Sequence, residues 1–281
     1  MKLIRFDDIA LYYRRVKDYL LENEAVNCLL LASCLSLGKI DCHQAHLVLI
    51  EDNRDVLTAA IQIGDRKVFL SKSTNLAAVR LIAEDLAINS KSIPGITAPQ
   101  LEAEMFITAW QNSTGQAMTL EVVMSIQQLE LASFKTSAIA SATGKLRLAM
   151  LEEVELLTGW IQAFVKEALG IDESKADSQR WVIRHLEQDS LYVWENRDLP
   201  VSMAAYGGKT PHGIRVKSVY TPAEYRSNGY ATSCVAAMSK ILLTRQKYCF
   251  LFTDLANHTS NNIYGKLGYL TMGKIGDYKC C

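Results

Sequence analysis

Hydrophobic and polar positions alternate most clearly in the last third of the chain. Residues 214–220 switch between apolar and charged side chains, which is the two-residue period of a half-buried strand. Thr221 and Pro222 end this strand, because proline cannot donate to the hydrogen-bond ladder of a sheet. Apolar residues then recur at helical spacing over 231–243. Residues 226–231 are therefore predicted to form a tight loop that opens a helix.

The first half of the chain shows the same kinds of pattern. Two helices are predicted, and the second is nearly all apolar and therefore buried. A hairpin, a third strand, a helix, a loop that contains Pro94, Gly95 and Pro99, a further helix and a weakly alternating strand follow. The predicted ranges, in that order, are residues 9–21 and 24–37 (helices), 46–51 and 56–63 (hairpin), 67–70, 76–87, 100–110 and 118–126.

A stretch rich in Ser, Thr and Ala, residues 135–144, is the best candidate for a linker. Beyond it, strands and helices resume with the same alternation of periods. The predicted ranges are 145–150 (strand), 151–169 and 177–188 (helices), and 191–195 and 200–206 (strands).

Residues 47–55 are similar to residues 191–198: each is an apolar strand that runs into an Asn-Arg-Asp turn. Each is preceded by two predicted helices and followed by an Ala-Ala strand. This similarity suggests an internal duplication of about 140 residues, although hairpins with Asn/Asp turns are common enough for chance to be the alternative. We therefore expect two domains, residues 1–140 and 141–281.

Composition narrows the class of protein. Of the 281 residues, Lys+Arg and Asp+Glu number 30 each, so there is no net field to recruit nucleic acid or an anionic membrane. No apolar run reaches transmembrane length, and the charged N-terminus does not resemble a signal peptide. We expect a soluble cytoplasmic protein. The 7 cysteines form no C-x-x-C pair and no histidine lies at zinc-finger spacing, so no metal site is predicted.

The loop 226–231 has the chemistry of an anion site. A helix N-terminus presents backbone N–H groups that lack intrahelical partners, and its dipole favours negative charge. Gly229 and Ala231 have little or no side chain, so an anion can approach their backbone closely. The corresponding loop of the first half, residues 71–75, contains no glycine, and no such approach is expected there.

The order strand, Pro222, Arg226-x-x-Gly229-x-Ala231, helix resembles the acetyl-CoA-binding core of the GCN5-related N-acetyltransferase (GNAT) superfamily. The strand at 248–254, Asn257 and the helix that ends in residues 264–269 match the second half of that core. The resemblance implies an α/β (α+β) fold, the acyl-CoA N-acyltransferase fold, in which helices flank a mixed, mostly antiparallel sheet. It implies a two-domain form whose N-terminal half is degenerate and shapes the acceptor pocket.

The resemblance also implies which residues bind acetyl-CoA, the acetyl donor. Loop amides would hold the pyrophosphate, the first strand would pair with the pantetheine arm, and Asn257 would contact that arm or a catalytic water. Arg226 would pair with a phosphate or simply fix the loop, while Asn261 would bind the diphosphate or ribose or stay an exposed helix residue. The expected cofactor residues are Ser218, Val219, Tyr220, Arg226, Ser227, Asn228, Gly229, Tyr230, Ala231, Asn257 and Asn261.

By the same resemblance, Tyr264 is the general acid that protonates the leaving thiolate, or else a residue that packs against the coenzyme. The implied activity is acetyl transfer to a primary amine of a small acceptor by direct attack, in a monomer or homodimer. A non-catalytic acyl-CoA-binding or regulatory module is the alternative, and a purely structural partner protein is a weaker one. No general base is assigned; the candidate residues are Glu195, Glu224, Asp254, His212 and, more remotely, the terminal carboxylate of Cys281, and the alternative is water relayed through the backbone.

Overall fold

The computed structural model describes residues 1–37, 45–89, 93–135 and 142–281. Residues 136–141, most of the predicted linker, lie outside the described residues. None of the helices in these ranges combines the length and the apolar character needed to cross a membrane.

The first half of the chain contains six strands and four helices in the described ranges. They are β1 (Lys2–Phe6), α1 (Ile9–Leu21), α2 (Cys28–Leu37), β2 (Ala45–Asp52), β3 (Asp55–Ile63), β4 (Val68–Leu70), α3 (Leu76–Asn89), β5 (Gly95–Pro99), α4 (Gln100–Thr114) and β6 (Met118–Glu130).

The second half repeats this order of elements. It contains β7 (Lys145–Leu148), α5 (Val154–Leu169), α6 (Lys175–Glu187), β8 (Leu191–Asn196), β9 (Leu199–Gly207), β10 (Gly213–Tyr220), α7 (Tyr230–Leu242), β11 (Tyr248–Asp254), α8 (His258–Leu267) and β12 (Leu270–Cys280). The duplicated fold predicted from the sequence is confirmed.

All twelve of these strands form one sheet, in the order β1-β2-β3-β4-β5-β12-β6-β11-β10-β9-β8-β7. Neighbours are antiparallel except for the pairs β4–β5 and β10–β11, which occupy corresponding places in the two halves. The sheet is mixed and mostly antiparallel, as the resemblance implied.

The last strand of each half lies across the boundary between the halves. β6 pairs with β11 of the second half, β12 pairs with β5 of the first half, and the two pair with each other. Each half therefore completes the sheet of the other. The division at residues 140 and 141 stays a prediction.

Three strands, β1, β5 and β12, were not predicted. β1 is short, and charged residues interrupt its apolar pattern. β5 lies in the stretch interpreted as a loop, and a Cβ on its Gly95 would lie 2.0 Å from the carbonyl oxygen of Tyr278 on β12. β12 has two irregularities in its pairing with β6, which disrupt its alternation. All three owe their place to pairing partners far along the chain.

Both faces of β10 are covered. Ile214 and Val216 pack with Val235 and Met238 of α7 in one core. On the opposite face, Tyr220 packs in a second core with Trp160 of α5 and Val182 of α6. The charged side chains of β10 therefore lie on a face that helices cover in part.

Candidate active site

The two parallel strands β10 and β11 separate part-way along their length. Their pairing runs from Gly213–Arg215 on β10 to Tyr248–Phe250 on β11 and ends there. The remaining residues of the two strands therefore border a V-shaped gap on the edge between them.

A β-bulge in β10 lies beside this gap. The register of β10 against β9 shifts between Lys217 and Tyr220, and Ser218 has a φ of 50°. This left-handed conformation is uncommon for a residue other than glycine, and bulges occur often next to functional sites. The bulge turns the backbone of Ser218 and Val219 out of the ladder that β10 makes with β9.

The gap opens into a cleft of about 810 Å³, a volume within the usual range for ligand sites. Its walls come from β10, the loop after it, α7, β11 and α8, with contributions from α5 and β6. Ten of the twelve predicted site residues line it: Ser218, Val219, Tyr220, Arg226, Ser227, Gly229, Tyr230, Ala231, Asn257 and Tyr264. Asn228 and Asn261 do not.

The loop before α7 leaves the first amides of that helix without partners among the residues that the structure describes. Gly229, at φ 78°, is the N-cap residue and makes no side-chain capping bond. The first hydrogen bond of the helix runs from Ser233 N to Gly229 O, at 3.0 Å. The amides of Tyr230, Ala231 and Thr232 precede that bond and have no intrahelical acceptor. This helix terminus can receive an anion from the cleft.

The side chain of Asn228 shapes the same loop. Its Nδ2 donates to the carbonyl oxygens of Tyr225 at 3.1 Å and Arg226 at 3.0 Å. These bonds hold the turn that places Gly229 at the mouth of the helix. For a ligand, Asn228 offers its backbone rather than its side chain.

Arg226 fixes the loop in this structure, and its pairing with a phosphate stays a prediction. Its Nε donates to Thr221 O at 2.9 Å, and its guanidinium donates to Glu167 Oε2 of α5 at 2.6 Å. Tyr220 Oη donates to the other oxygen of Glu167 at 3.1 Å. Glu167 therefore ties the loop to α5. It lines the cleft but was missed, because nothing around residue 167 marks it in the sequence.

Tyr264 lies at the wall of the cleft on α8 and is only 8% exposed. Burial raises the pKa of its phenol to about 12, although a hydrogen bond with Ser260 acts in the opposite direction. Its ring packs edge-on against Tyr269, with 5.8 Å between the centroids. At neutral pH Tyr264 therefore holds its proton in a fixed place.

Asn257 and Asn261 organise the turn between β11 and α8. Asn257 Oδ1 caps α8 by accepting from Ser260 N at 3.0 Å. Asn261 Nδ2 donates to Asp254 O at 3.0 Å and to Asn257 O at 2.9 Å, while its Oδ1 lies 3.2 Å from Gln127 Nε2 on β6. These bonds show Asn261 as a residue that positions the turn; its binding of the coenzyme stays a prediction.

Of the five candidate bases, all within the described ranges, only Asp254 lines the cleft. Hydrogen bonds from Arg147 and Lys145 lower the pKa of Glu195. His212 Nδ1 lies 2.8 Å from Glu24 Oε2, and Glu24 Oε1 accepts from His212 N at 2.9 Å. Glu195 and His212 are thus engaged elsewhere, the latter in a contact between the two halves.

The first half also contributes to the cleft. Val122 and Met124 of β6 line it, because the exchange of β6 and β12 places β6 beside β11. Residues of the first half, which was expected to shape the acceptor pocket, are therefore part of the wall of the cleft.

Three comparisons place this geometry among known proteins. The family model described as FR47-like protein matches residues 197–275, which include the loop before α7 and all of α8. A search of the curated proteins found no match.

Several solved structures share the fold over nearly the whole chain. One is a GNAT-family acetyltransferase from Colwellia psychrerythraea, at 12% identity and TM-score 0.59, with 99% of each chain covered. Another is a GCN5-related N-acetyltransferase from Sphaerobacter thermophilus, at 13% identity and TM-score 0.59, with 92% of each chain covered. A third is a tandem GNAT protein from the clavulanic acid biosynthesis pathway, at 10% identity and TM-score 0.56, covering 100% of this chain and 98% of that one.

The fold of this chain is thus the GNAT fold, in a form that contains it twice. Within it, the matched FR47-like segment coincides with the half that carries the cleft. The fold that the resemblance implied is confirmed.

Proposed function

We propose that the chain is an acetyl-CoA-dependent N-acetyltransferase that acts on a primary amine of a small acceptor. One observation carries this proposal: the cleft between the separating strands β10 and β11 ends at the uncapped N-terminus of α7. The GNAT fold of acetyltransferases at 10–13% identity supports it.

The residues present fit a coenzyme A molecule. Its pyrophosphate would meet the amides of residues 229–232, where the helix dipole stabilises an anion by roughly 0.3–2 kcal/mol. Its pantetheine arm carries amides that would pair with β10 beyond Arg215, where β11 no longer does. Ser218, Val219 and Tyr220 would hold that arm, and Asn257 would border it from the opposite wall.

When bound, acetyl-CoA supplies a thioester: the amine nitrogen bonds to its carbonyl carbon, the carbon–sulfur bond breaks, one proton leaves the amine and the thiolate gains one. Tyr264 holds a proton at Oη on the wall of the cleft and would donate it to the leaving sulfur. A positioned proton donor of this kind typically contributes about 10²–10⁴-fold in rate. Asp254 is the carboxylate placed to accept the amine proton, directly or through water.

The experiment that tests the proposal measures the melting temperature with and without coenzyme A. A ligand that binds only the folded state raises that temperature by mass action. We expect a rise in the wild-type protein and none in Gly229→Glu, which adds bulk and negative charge at the helix mouth. Gly265→Glu is the matched control, because a side chain at this α8 position meets nothing within 4 Å. An equal rise in both variants would refute the assignment of the pyrophosphate site.

A non-catalytic acyl-CoA-binding module is the second candidate. The engagement of Glu195 and His212 away from the cleft is the observation that favours it. Acetyl transfer to a panel of primary amines separates the two functions. Turnover supports the enzyme, whereas a coenzyme-induced rise in melting temperature without turnover supports the module.

A further inference from the structure

Three basic residues, Arg184 of α6 with Arg215 and Lys217 of β10, come together on the face of the sheet that α5 and α6 cover; we call them the cationic cluster. The Nζ atom of Lys217 lies 5.7 Å from the centre of the Trp181 ring, and this ring stacks on His185 at 3.9 Å. The guanidinium of Arg215 lies 5.2 Å from the centre of the Phe252 ring. Arg215 and Lys217 therefore each lie over the face of an aromatic ring.

No acidic side chain neutralises the cationic cluster. Among the ion pairs of the described residues, none includes Arg184, Arg215 or Lys217, whereas Arg147, His212 and Arg226 each contact a carboxylate. Contacts with ring faces compensate only part of the cost of removing a cation from water. Burial, followed by the charges of Arg215 and Arg184, lowers the pKa of Lys217 to about 8.

His185 gives a second, independent sign of a missing partner. It is only 3% exposed, and neither of its ring nitrogens makes a hydrogen bond of full geometry in the described part of the chain, although the backbone of Trp181 lies close enough to raise its pKa slightly. Buried polar groups in native proteins nearly always have a hydrogen-bond partner. Burial, then the charges of Lys217 and Arg184, lowers the pKa of His185 to about 3. A buried hydrogen-bonding group and three unpaired cations therefore share one region.

This region opens into the cleft. Lys217 and Phe252 both line it, and Lys217 directly precedes the bulge at Ser218. Gly207 on the neighbouring strand makes room for the amine, since a Cβ there would lie 3.2 Å from Lys217 Nζ. Lys217 lies three residues before the end of β10, about 10 Å along the strand from the loop that would hold the pyrophosphate. The cationic cluster is therefore separate from the phosphate site.

We propose that the cationic cluster binds an anionic group of the acceptor, so that the acceptor is an amine that also carries a carboxylate or a phosphate. This inference rests on the proposed function. The anion would be drawn to Lys217 and Arg215 at the base of the site, with Arg184 at its exposed rim. It would supply the counter-charge that the fold does not, and it would hold the amine beside the bulge of β10.

The first experiment needs no turnover. The protein saturated with coenzyme A is titrated with N-acetyl amino acids and with the matching N-acetyl amino acid amides, and the melting temperature is measured. N-acetylated aminoethyl phosphate and N-acetylethanolamine form a second pair, which distinguishes phosphate from carboxylate. We expect the acid of at least one pair to stabilise the complex and its neutral partner to fail. Equal effects within every pair, or no effect of any probe, would overturn the proposal.

Variants then locate the anion site. Arg184→Gln and Lys217→Met should each weaken the stabilising probe by roughly 10- to 100-fold, the usual loss when a charged hydrogen-bond partner is removed. Lys209→Met is the matched control, since Lys209 is an exposed lysine that lies outside the cationic cluster. Unchanged probe affinity in both cluster variants would overturn the assignment.

Kinetics separate binding from proton transfer. For an anionic acceptor, Lys217→Met should raise KM far more than it lowers kcat, and for a neutral amine acceptor it should leave KM unchanged. An equal loss of kcat with both kinds of acceptor would show that Lys217 moves a proton, and it would overturn the anion site.

The failure of this proposal is distinguishable from the failure of the proposed function. The coenzyme A shift is measured first, in the wild-type protein and in Lys209→Met, whose side chain does not line the cleft. Absence of that shift in the wild-type protein would contradict the proposed function and the acceptor site with it. A normal shift together with equal effects of acid and neutral probes would contradict the cationic cluster alone.

Discussion

The loops that precede α3 and α7 occupy corresponding places in the two halves, yet they differ in whether nearby backbone amides have hydrogen-bond acceptors within the protein. In the first half, the amide of Ser73 donates to Glu102 Oε1 at 2.7 Å, and that of Lys72 donates to Asn27 Oδ1 at 3.0 Å. Thr74 N donates to Leu57 O at 3.0 Å, and Asn75 N to Ser73 Oγ at 3.1 Å.

In the second half, the amides at the start of α7 have no such partners, and they face a cleft. The Asn75 side chain caps α3 by accepting from Ala77 N at 3.0 Å. The buried carboxylate of Glu102, 6% exposed, accepts from Ser73 N in the loop before that helix. In corresponding helices of the two halves, the N-terminal amides are thus bonded within the protein in one half and open to a cleft in the other. The first-half loop therefore differs from the loop before α7 in its hydrogen bonds as well as in its lack of glycine.

The largest expected effect concerns Tyr264. Replacement by Phe removes the proton donor at the cleft, and we expect turnover to fall by about 10²–10⁴-fold with little change in coenzyme A affinity. Tyr19→Phe is the control in the first half, where Tyr19 Oη donates to Leu57 O at 2.8 Å. That variant should lower stability and leave turnover unchanged. Equal turnover in Tyr264→Phe and the wild-type protein would remove Tyr264 as the acid.

The first-half loop gives the next largest effect. Glu102→Ala leaves the amide of Ser73 without its buried acceptor, so the free energy of unfolding should fall by about 1–3 kcal/mol. Denaturant unfolding measures this change, with Glu104→Ala on the exposed side of α4 as a control expected to stay within about 0.5 kcal/mol. A loss no larger than the control's would show that Glu102 does not hold the loop.

A smaller effect is expected at Gly229. Ala in this left-handed position should lower stability by roughly 1–2 kcal/mol, whereas Gly265→Ala in the interior of α8 should raise it by up to about 1 kcal/mol. Thermal unfolding of both variants checks the two signs. The same sign in both would contradict the strained loop geometry.

The last prediction concerns the pH dependence of stability. Because burial lowers the pKa of Lys217 to about 8 from its ordinary value of 10.5, the unfolded chain binds more protons than the folded protein between these values. Stability contributed through Lys217 should therefore rise with pH across that window and be unchanged below it. Lys217→Met should lack this rise. An equal change in the free energy of unfolding between pH about 7 and about 10 in the wild-type protein and in Lys217→Met would contradict this role of Lys217.

The features that depend on adjacent residues could be predicted from the sequence. Alternation defined β10, and glycine at 229 marked the loop before α7, because both signals depend on adjacent residues. The paired residues Glu167 and Arg226 are 59 positions apart, and Lys217 of β10 contacts Trp181 of α6, so no spacing indicated either contact. The role of Asn261 was more accessible, since its bond to Asn257 O spans four residues of one helix.

Strand exchange explains why the sequence did not indicate β5 and β12. β12 lies between β5 and β6, so its pairing depends on two strands that are far away in sequence. Its own residues carry two glycines and no clean alternation. The exchange also brings Val122 and Met124 into the cleft, which the pattern of the first half could not indicate.

Titration calorimetry of the full chain with coenzyme A tests the central claim most directly, because it counts sites. If only the second half presents free amides to a cleft, binding should fit one site per chain in the wild-type protein and should disappear in Gly229→Glu. Two sites per chain, or undiminished binding in Gly229→Glu, would contradict the contrast between the two loops.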